Sequence, residues 1–131
     1  MSLDRHLRSL CLAGLTSKEV TSLLTAETAR WARQYRRRVT FEAPARVTRQ
    51  GRGGRKYRGR LDLLCTSWFK RAIAIEIDRA NKTWSVDKLL AEADAGNIAL
   101  WVRWAGTSMI EVPAVIGLVD IRDVRLPKPS E

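Results

Sequence analysis

Cysteine, histidine and long apolar runs are all scarce in this chain of 131 residues. Its two cysteines, Cys11 and Cys65, lie far apart and form no CxxC pair, and His6 is the single histidine, so neither a zinc site nor a disulfide framework is indicated. No stretch approaches the roughly 18 apolar residues of a membrane helix, and the apolar patch at residues 10–15 is too short for a signal-peptide core. The sequence therefore predicts a soluble cytoplasmic protein with reduced cysteines.

Acidic residues are also scarce in the first half of the chain. Residues 1–60 contain 15 Lys and Arg against 4 Asp and Glu, whereas the remainder contains 9 against 10, so the net charge of +10 arises entirely from the first half. Seven basic residues lie between Arg46 and Arg60, separated by glycines, with Tyr57 available to stack. We expect a flexible cationic loop that binds a polyanion. The alternative is a solvated loop that only aids solubility.

Hydrophobic periodicity predicts an α/β order of elements, and the 45% hydrophobic content suits one domain with one core. The predicted helices are one from about Lys18 to residues 36–38, capped by Thr16-Ser17, and one over Val86–Ala95, with Ser85 as N-cap and Gly96 as its stop. The predicted strands are Val39–Ala43 closed by Pro44, Leu61–Cys65, Ala72–Asp78 and a central Ile98–Trp104, with Glu111–Val124 as a last strand or short helix.

This order predicts a single-domain α/β sandwich whose central mixed β-sheet is flanked by helices. The domain spans residues 1–131, with a core at about 16–106. Residues 1–15 form an N-terminal segment, 44–60 the basic loop and 107–131 a C-terminal extension.

Three acidic residues stand where two of the strands are expected to pair. Alternation along residues 72–78 puts three isoleucines on one face and Glu76 and Asp78 on the other. An antiparallel hairpin would bring Asp62 of the preceding strand beside Glu76. Three acids on one surface repel unless a cation lies between them, so the pattern indicates a divalent metal over a phosphodiester. The alternative is a set of exposed strand-edge acids that pair with arginines or discourage aggregation.

The element order, with Asp62 at the start of the second core strand and Glu76 ending the third, resembles the PD-(D/E)XK nuclease superfamily, particularly its small resolvase-like and phage-type members. The resemblance covers about residues 16–106. It implies a restriction-endonuclease-like fold and an Mg²⁺- or Mn²⁺-dependent DNA endonuclease or junction-resolvase-like phosphodiesterase. Asp62 and Glu76 match the metal-binding acids, with Asp78 as a third ligand, and Glu27 in the first helix matches an extra acid of some members.

One departure concerns the lysine that the family places two residues after the second acid. This chain has Asp78 there, and an aspartate cannot steady the attacking water or the developing phosphorane charge. The family tolerates migration of this lysine, so Lys82 is the predicted catalytic lysine and Lys88 the reserve candidate, with Asn81 near the phosphate. Without a migrated lysine, the domain would be a catalytically degenerate nucleic-acid-binding protein.

DNA is the expected partner, with a homodimer suited to cutting two strands and no membrane contact. The residues expected to bind it lie in the basic loop and at the end of the first helix: Arg46, Arg49, Arg52, Arg55, Lys56, Arg58, Arg60, Arg37 and Arg38. Trp68 and Trp84 flank the acids, where stacking on bases and packing are both open. Two rival interpretations are a helix-turn-helix regulator, with residues 15–24 as its opening half, and a basic assembly protein without an active site.

Overall fold

The computed structural model describes residues 1–105 and 111–121. Within these ranges the chain forms three α-helices and five β-strands, which confirms the predicted α/β class with one mixed sheet. The elements are α1 (Leu3–Arg8), α2 (Ser17–Gln34), β1 (Arg38–Gln50), β2 (Lys56–Thr66), β3 (Ile73–Asp78), α3 (Thr83–Asp94), β4 (Ile98–Arg103) and β5 (Ile116–Asp120). None of the helices in the described ranges is long and apolar enough to cross a membrane.

The sheet has the strand order β1-β2-β3-β4-β5. Strands β1, β2 and β3 form an antiparallel meander, and β4 and β5 continue the sheet parallel to β3. Helices α1 and α2 pack on the face that contains the three isoleucines of β3, and α3 packs on the other face against Ala74 and Trp101. Strand β4 lies between β3 and β5, as its long apolar run predicts.

Helix α2 confirms the first predicted helix. Thr16 and Glu19 form a reciprocal capping box at its start, and Tyr35 is its C-cap. The 18 residues from Ser17 to Gln34 form one continuous helix, so the helix-turn-helix interpretation is wrong at this place in the chain.

The predicted basic loop at residues 44–60 is wrong, because this segment is the far half of a long β1–β2 hairpin. Strand β1 continues through Pro44, which an edge strand tolerates, and the turn is a short 3₁₀ helix at Arg52–Gly54. Gly59 marks a close approach instead of flexibility, since a Cβ there would lie 2.8 Å from the Trp84 ring of α3. We call residues 44–60 the basic arm.

The remaining predictions differ from the structure mainly at element ends. Helix α3 begins at Thr83 with Lys82 as its N-cap, so Ser85 is a first-turn residue and not the predicted cap, while Gly96 ends the helix at φ 91°. Strand β5 bears out the strand alternative for the tail, and the part of that prediction beyond residue 121 lies outside the described residues. Helix α1 was not predicted, although Leu3 and Leu7 are spaced to bury one helical face.

Candidate active site

The acidic residues lie where β2 and β3 separate. The ladder between these strands extends only as far as the Leu63–Ile75 pair, although both strands continue. Beyond it the Asp62 backbone N–H donates to Glu76 Oε2 (2.8 Å), and the Ile77 backbone N–H donates to Asp62 Oδ2 (2.7 Å). Each carboxyl group therefore accepts a backbone N–H from the other strand where the strands no longer pair. The two acids lie side by side, as the predicted hairpin allows.

Lys88 of α3 supplies the positive charge beside this pair. Its ammonium forms an ion pair with Glu76 Oε1 and donates to the backbone carbonyl of Arg60 (2.8 Å). The Lys88 side chain is 10% exposed and the Glu76 side chain 1% exposed, so water screens this pair little. We call Asp62, Glu76 and Lys88 the acid–lysine cluster.

The acid–lysine cluster holds two carboxyl groups against one ammonium. Burial and then the neighbouring charge of Asp62 raise the pKa of Glu76 to about 8, although Lys88 opposes the shift. Burial likewise raises the pKa of Asp62, opposed by the hydrogen bond from the Ile77 N–H. Near neutral pH the cluster therefore favours an additional positive charge, either a proton or a bound cation.

Asp78 makes its own contacts with α3 and β4, although, in addition to burial, its charge is close enough to Asp62 to raise the pKa of that carboxyl. Its Oδ2 accepts hydrogen bonds from Ser85 Oγ (2.6 Å) and from Trp101 Nε1 (2.7 Å), and Lys82 Nζ lies 3.6 Å from its Oδ1. In the described part of the chain, no group of three or more His, Cys, Asp or Glu residues is arranged to hold a metal ion. The three-acid ligand set expected from the sequence is therefore not assembled, because α3 and β4 hold Asp78 elsewhere.

A smaller ligand set remains, made of Asp62 and Glu76. Mg²⁺ commonly binds through one or two carboxylates and completes its octahedral shell with water and substrate phosphate. Burial and then the neighbouring charge of Asp62 raise the pKa of Glu76, and a divalent cation between the two carboxylates would offset the second of these causes. These two residues fit a magnesium or manganese ion, and Asp78 does not belong to the set.

The structure brings the reserve lysine, and not the predicted one, to the acids. Lys82 is 67% exposed and contacts Asp78, whereas Lys88 contacts Glu76 directly. The two lysines differ because of their places in α3. Lys88 lies within the helix on the face toward β2, whereas Lys82 is at its N-cap. The lysine that is nearer to Glu76 in the sequence is therefore not the one that contacts it, because α3 brings the later residue, Lys88, back toward the strands.

Two other predicted residues have structural partners away from the cluster. Glu27 of α2 contacts His6 of α1 (2.9 Å) and Arg30 (3.7 Å), and its helix packs on the face opposite α3. Asn81 accepts a hydrogen bond from Arg103 of β4. Neither arrangement brings these side chains into contact with Asp62 or Glu76 in the described structure.

Arg103 belongs to a buried polar network that the sequence did not reveal. It is fully buried, donates to Asp120 Oδ2 (3.2 Å) on β5 and to Asn81, and lies 5.0 Å from the centre of the Trp101 ring. Trp101 in turn holds Asp78. A lone arginine inside an apolar strand was the available signal, because such a charge must be paired when it is buried.

The basic arm lies beside the acid–lysine cluster. A cleft of about 470 Å³ runs between the arm and α3, and Arg60, Tyr57 and Trp84 are among the residues that line it. The Arg49 guanidinium stacks 4.8 Å from the Trp84 ring, so this indole is already covered on one side. Arg60 lines this cleft and its backbone carbonyl accepts a hydrogen bond from Lys88, so one residue joins the cleft to the acid–lysine cluster.

The predicted DNA-binding residues divide into paired and exposed side chains. Arg46 pairs with buried Glu92 (3.5 Å), and Arg58 donates to the Ala45 carbonyl (2.8 Å). Arg37 donates to the carbonyls of Cys65 (3.4 Å) and Arg71 (2.8 Å). The remaining exposed members are Arg38, Arg49, Arg55, Lys56 and Arg60, and the Arg52 side chain lies outside the described part.

Comparisons of the chain with protein-family models, with curated proteins and with solved structures gave no match.

Proposed function

We propose that this protein is a metal-dependent phosphodiesterase that cuts DNA at the acid–lysine cluster. The observation that carries the proposal is the buried ion pair of Glu76 and Lys88 with the partly buried Asp62 against it, joined through Arg60 to a cationic cleft. A structural role explains this poorly, because burying charges costs several kcal/mol per ion unless the groups are fully compensated. Asp62 and Glu76 are not compensated by Lys88 alone, which supports a role for a further cation.

The basic arm supports a polyanionic substrate. Its exposed cationic residues and the cleft against α3 place positive charge beside Arg60 and the acids, where a phosphate backbone is attracted and oriented. The arm is a paired hairpin and not a loop, so strand pairing sets the backbone positions from which these side chains project. Tyr57 is 52% exposed and offers a stacking surface on the same cleft.

The proposed roles follow from the contacts. Asp62 and Glu76 would hold Mg²⁺ or Mn²⁺, which polarises a phosphate oxygen and lowers the pKa of a bound water. Lys88 is held by the Arg60 carbonyl with its ammonium at Glu76, where it can stabilise the negative charge that develops on a phosphate. Asp78 has a positioning role through Ser85 and Lys82 at the start of α3.

The resemblance to PD-(D/E)XK nucleases agrees with this proposal in element order and in the adjacency of Asp62 and Glu76. Lys88 takes the place proposed for Lys82.

We place the protein in the cytoplasm, since Cys11 and Cys65 are both unpaired. Burial raises the pKa of the Cys65 thiol to about 11, which argues against a thiolate nucleophile.

A second candidate function is binding of nucleic acid without cleavage. It is favoured by one observation: both Glu76 oxygens and Asp62 Oδ2 already accept contacts within the protein. In that case the ammonium of Lys88 takes the place of the metal.

The test is cleavage of end-labelled duplex, single-stranded and four-way-junction DNA with Mg²⁺, Mn²⁺ or EDTA. Wild type is compared with Glu76→Gln, Lys88→Met and Lys82→Met. The proposal predicts metal-dependent cutting that the first two variants lose by at least about 100-fold and that Lys82→Met retains. Retained cutting in Glu76→Gln contradicts the proposed site, and binding without cutting by wild type leaves the second candidate.

A further inference from the structure

A second basic cleft lies at the other end of the sheet from the acid–lysine cluster. It has a volume of about 750 Å³ and is formed by the end of α2, the start of β1 and the turn between β2 and β3. Arg33, Arg36, Arg37 and Arg38 line it together with Trp68, and no acidic residue is among the described residues that line it. We call it the arginine cleft.

Two of the four arginines have structural partners. Arg37 donates to two backbone carbonyls, and the Arg33 guanidinium lies 5.8 Å from the centre of the Phe41 ring. Arg36 and Arg38 are exposed, and the described structure shows no hydrogen bond or ion pair of either guanidinium. These two charges are therefore available to a ligand.

Arg36 also occupies a backbone position that disfavours arginine. It has φ 60° directly after the C-cap Tyr35 of α2, with the hydrogen bonds Arg36 N–H to Arg33 O (3.0 Å) and Arg37 N–H to Ala32 O (3.2 Å). This is the left-handed closing residue of a Schellman motif, where glycine is the preferred residue. An arginine here gives up local stability and places a charge in the cleft.

Exposed aromatic rings stand beside these charges. Trp68 and Phe69, in the turn between β2 and β3, are 95% and 96% exposed, which is exceptional for large apolar side chains. Adjacent aromatic and cationic side chains suit unpaired nucleotides, because an unpaired base offers its face for stacking while its phosphate binds arginine. A base inside a duplex cannot reach such a ring.

We propose that the arginine cleft binds an unpaired stretch of nucleic acid, with a base on Trp68 and phosphates on Arg36 and Arg38. The overall charge of +10 and the concave, arginine-lined shape favour a polyanionic strand over a membrane surface. Strand β3 runs from Ile73 at the cleft end to Glu76 in three residue steps, about 10 Å at 3.3 Å per residue. The idea that one substrate spans both sites rests on the proposed function. Binding of nucleic acid in the arginine cleft does not depend on it.

The experiment measures binding of fluorescein-labelled dT15 in EDTA by anisotropy, together with quenching of tryptophan fluorescence. Trp68→Ala is expected to reduce the quenching and to weaken binding about 5- to 150-fold, the effect of losing one stacked base. Arg36→Gly/Arg38→Thr is expected to reduce the slope of log K against log salt by about 1.4, for two lost phosphate contacts. Both variants should fold, since these side chains are exposed and glycine suits position 36.

The matched control is Arg5→Ala/Lys18→Ala, which removes the same charge from exposed positions away from the cleft. It should leave quenching intact and affinity within about twofold. Equal dT15 binding by Trp68→Ala, or an equal fall in salt slope in the control, overturns the proposal. So does a Trp68-dependent emission shift with 3:1 phosphatidylcholine–phosphatidylserine vesicles and none with dT15.

Two assays on wild type and Trp68→Ala separate this proposal from the proposed function: dT15 binding in EDTA and DNA cleavage with Mg²⁺. If wild type cuts DNA but Trp68→Ala binds dT15 as wild type does, the proposed nuclease function is retained and the proposal for the arginine cleft is rejected. If Trp68 governs binding and nothing is cut, the cleft stands and the nuclease fails.

Discussion

Replacement of Lys88 by methionine tests the electrostatics of the acid–lysine cluster. The change keeps the length of the side chain and removes the ammonium that contacts Glu76 Oε1 and the Arg60 carbonyl. Glu76 is 1% exposed, so its charge cannot be solvated after the substitution. Removal of one partner of a buried ion pair costs about 3–5 kcal/mol of unfolding free energy when the other partner is ionised.

The cost should depend on pH in a definite direction. The pKa of Glu76 is about 8 in the folded protein, above its ordinary value of 4.5, and it rises further without Lys88. At pH 5.5, well below the raised pKa, the carboxyl is protonated in the folded state of both proteins, so only the hydrogen bond to the Arg60 carbonyl is lost, about 1–2 kcal/mol. Above pH 8 the folded wild type ionises Glu76, whereas the variant retains a proton that the unfolded chain releases, so the stability lost by the variant grows.

Urea unfolding at pH 5.5 and pH 9 measures this difference. Lys88→Met should lose about 1–2 kcal/mol at the lower pH and about 1.4 kcal/mol more at pH 9, which is one unit above the pKa of Glu76. Lys82→Met is the matched control and should lose less than about 1 kcal/mol, because its side chain is 67% exposed. The double variant Glu76→Gln/Lys88→Met should be far less sensitive to pH. An equal loss at both pH values, or a loss below about 1 kcal/mol at pH 9, refutes this account of the cluster.

Further outcomes are expected at Glu76, Trp101, Arg36 and Gly59. Glu76→Gln should remove most of the decline in wild-type stability between pH 4.5 and pH 8, and Mg²⁺ should restore wild-type stability at pH 8 but not that of the variant, both measured by urea unfolding. Trp101→Phe leaves the Asp78 carboxylate without one donor and should cost about 1–3 kcal/mol; a change below 0.5 kcal/mol is contrary to that role. Arg36→Gly should raise the free energy of unfolding by up to about 1 kcal/mol, and a lowered melting temperature contradicts the Schellman assignment. Gly59→Ala should destabilise by about 1–3 kcal/mol because its Cβ meets the indole of α3, and a neutral result in thermal unfolding means that the arm moves freely.

The position of Asp62 beside Glu76 was accessible from the sequence. Alternation identifies which side chains share a face, and a short polar link between two strand-like runs implies an antiparallel hairpin. Together these make the two acids candidate neighbours, and the register that the sequence leaves open is given by the structure, in which the Asp62 backbone N–H donates to Glu76 Oε2. Local patterns reach this far because the two strands are consecutive in the chain.

The position of Asp78 was not accessible in the same way. Alternation puts it on the face of Glu76, but its partner Trp101 is 23 residues away on β4. A parallel crossover through α3 decides which side chain of β4 meets β3, and residue spacing does not encode that register. Lys88 was ranked below Lys82 for the same reason, since its approach to Glu76 depends on how α3 packs.

The basic arm shows how composition misleads about local structure. Glycines between arginines suggest a flexible loop, yet residues 46–50 and 56–60 belong to paired strands. Arginine, threonine and tyrosine are compatible with a solvent-facing strand, and Gly59 is small because Trp84 packs against it. Its tertiary contact, and not its flexibility, accounts for that glycine.

The most direct test of the central claim is single-turnover cleavage of labelled DNA by wild type and Asp62→Asn, purified side by side, with Mg²⁺ and with EDTA. Asp4→Asn is the control, since Asp4 pairs with Arg8 on α1, away from the cluster. The account predicts Mg²⁺-dependent cutting by wild type and by the control, and a loss of at least about 100-fold in Asp62→Asn. Equal cutting by all three proteins, or none by wild type on duplex, junction and single-stranded DNA, contradicts it.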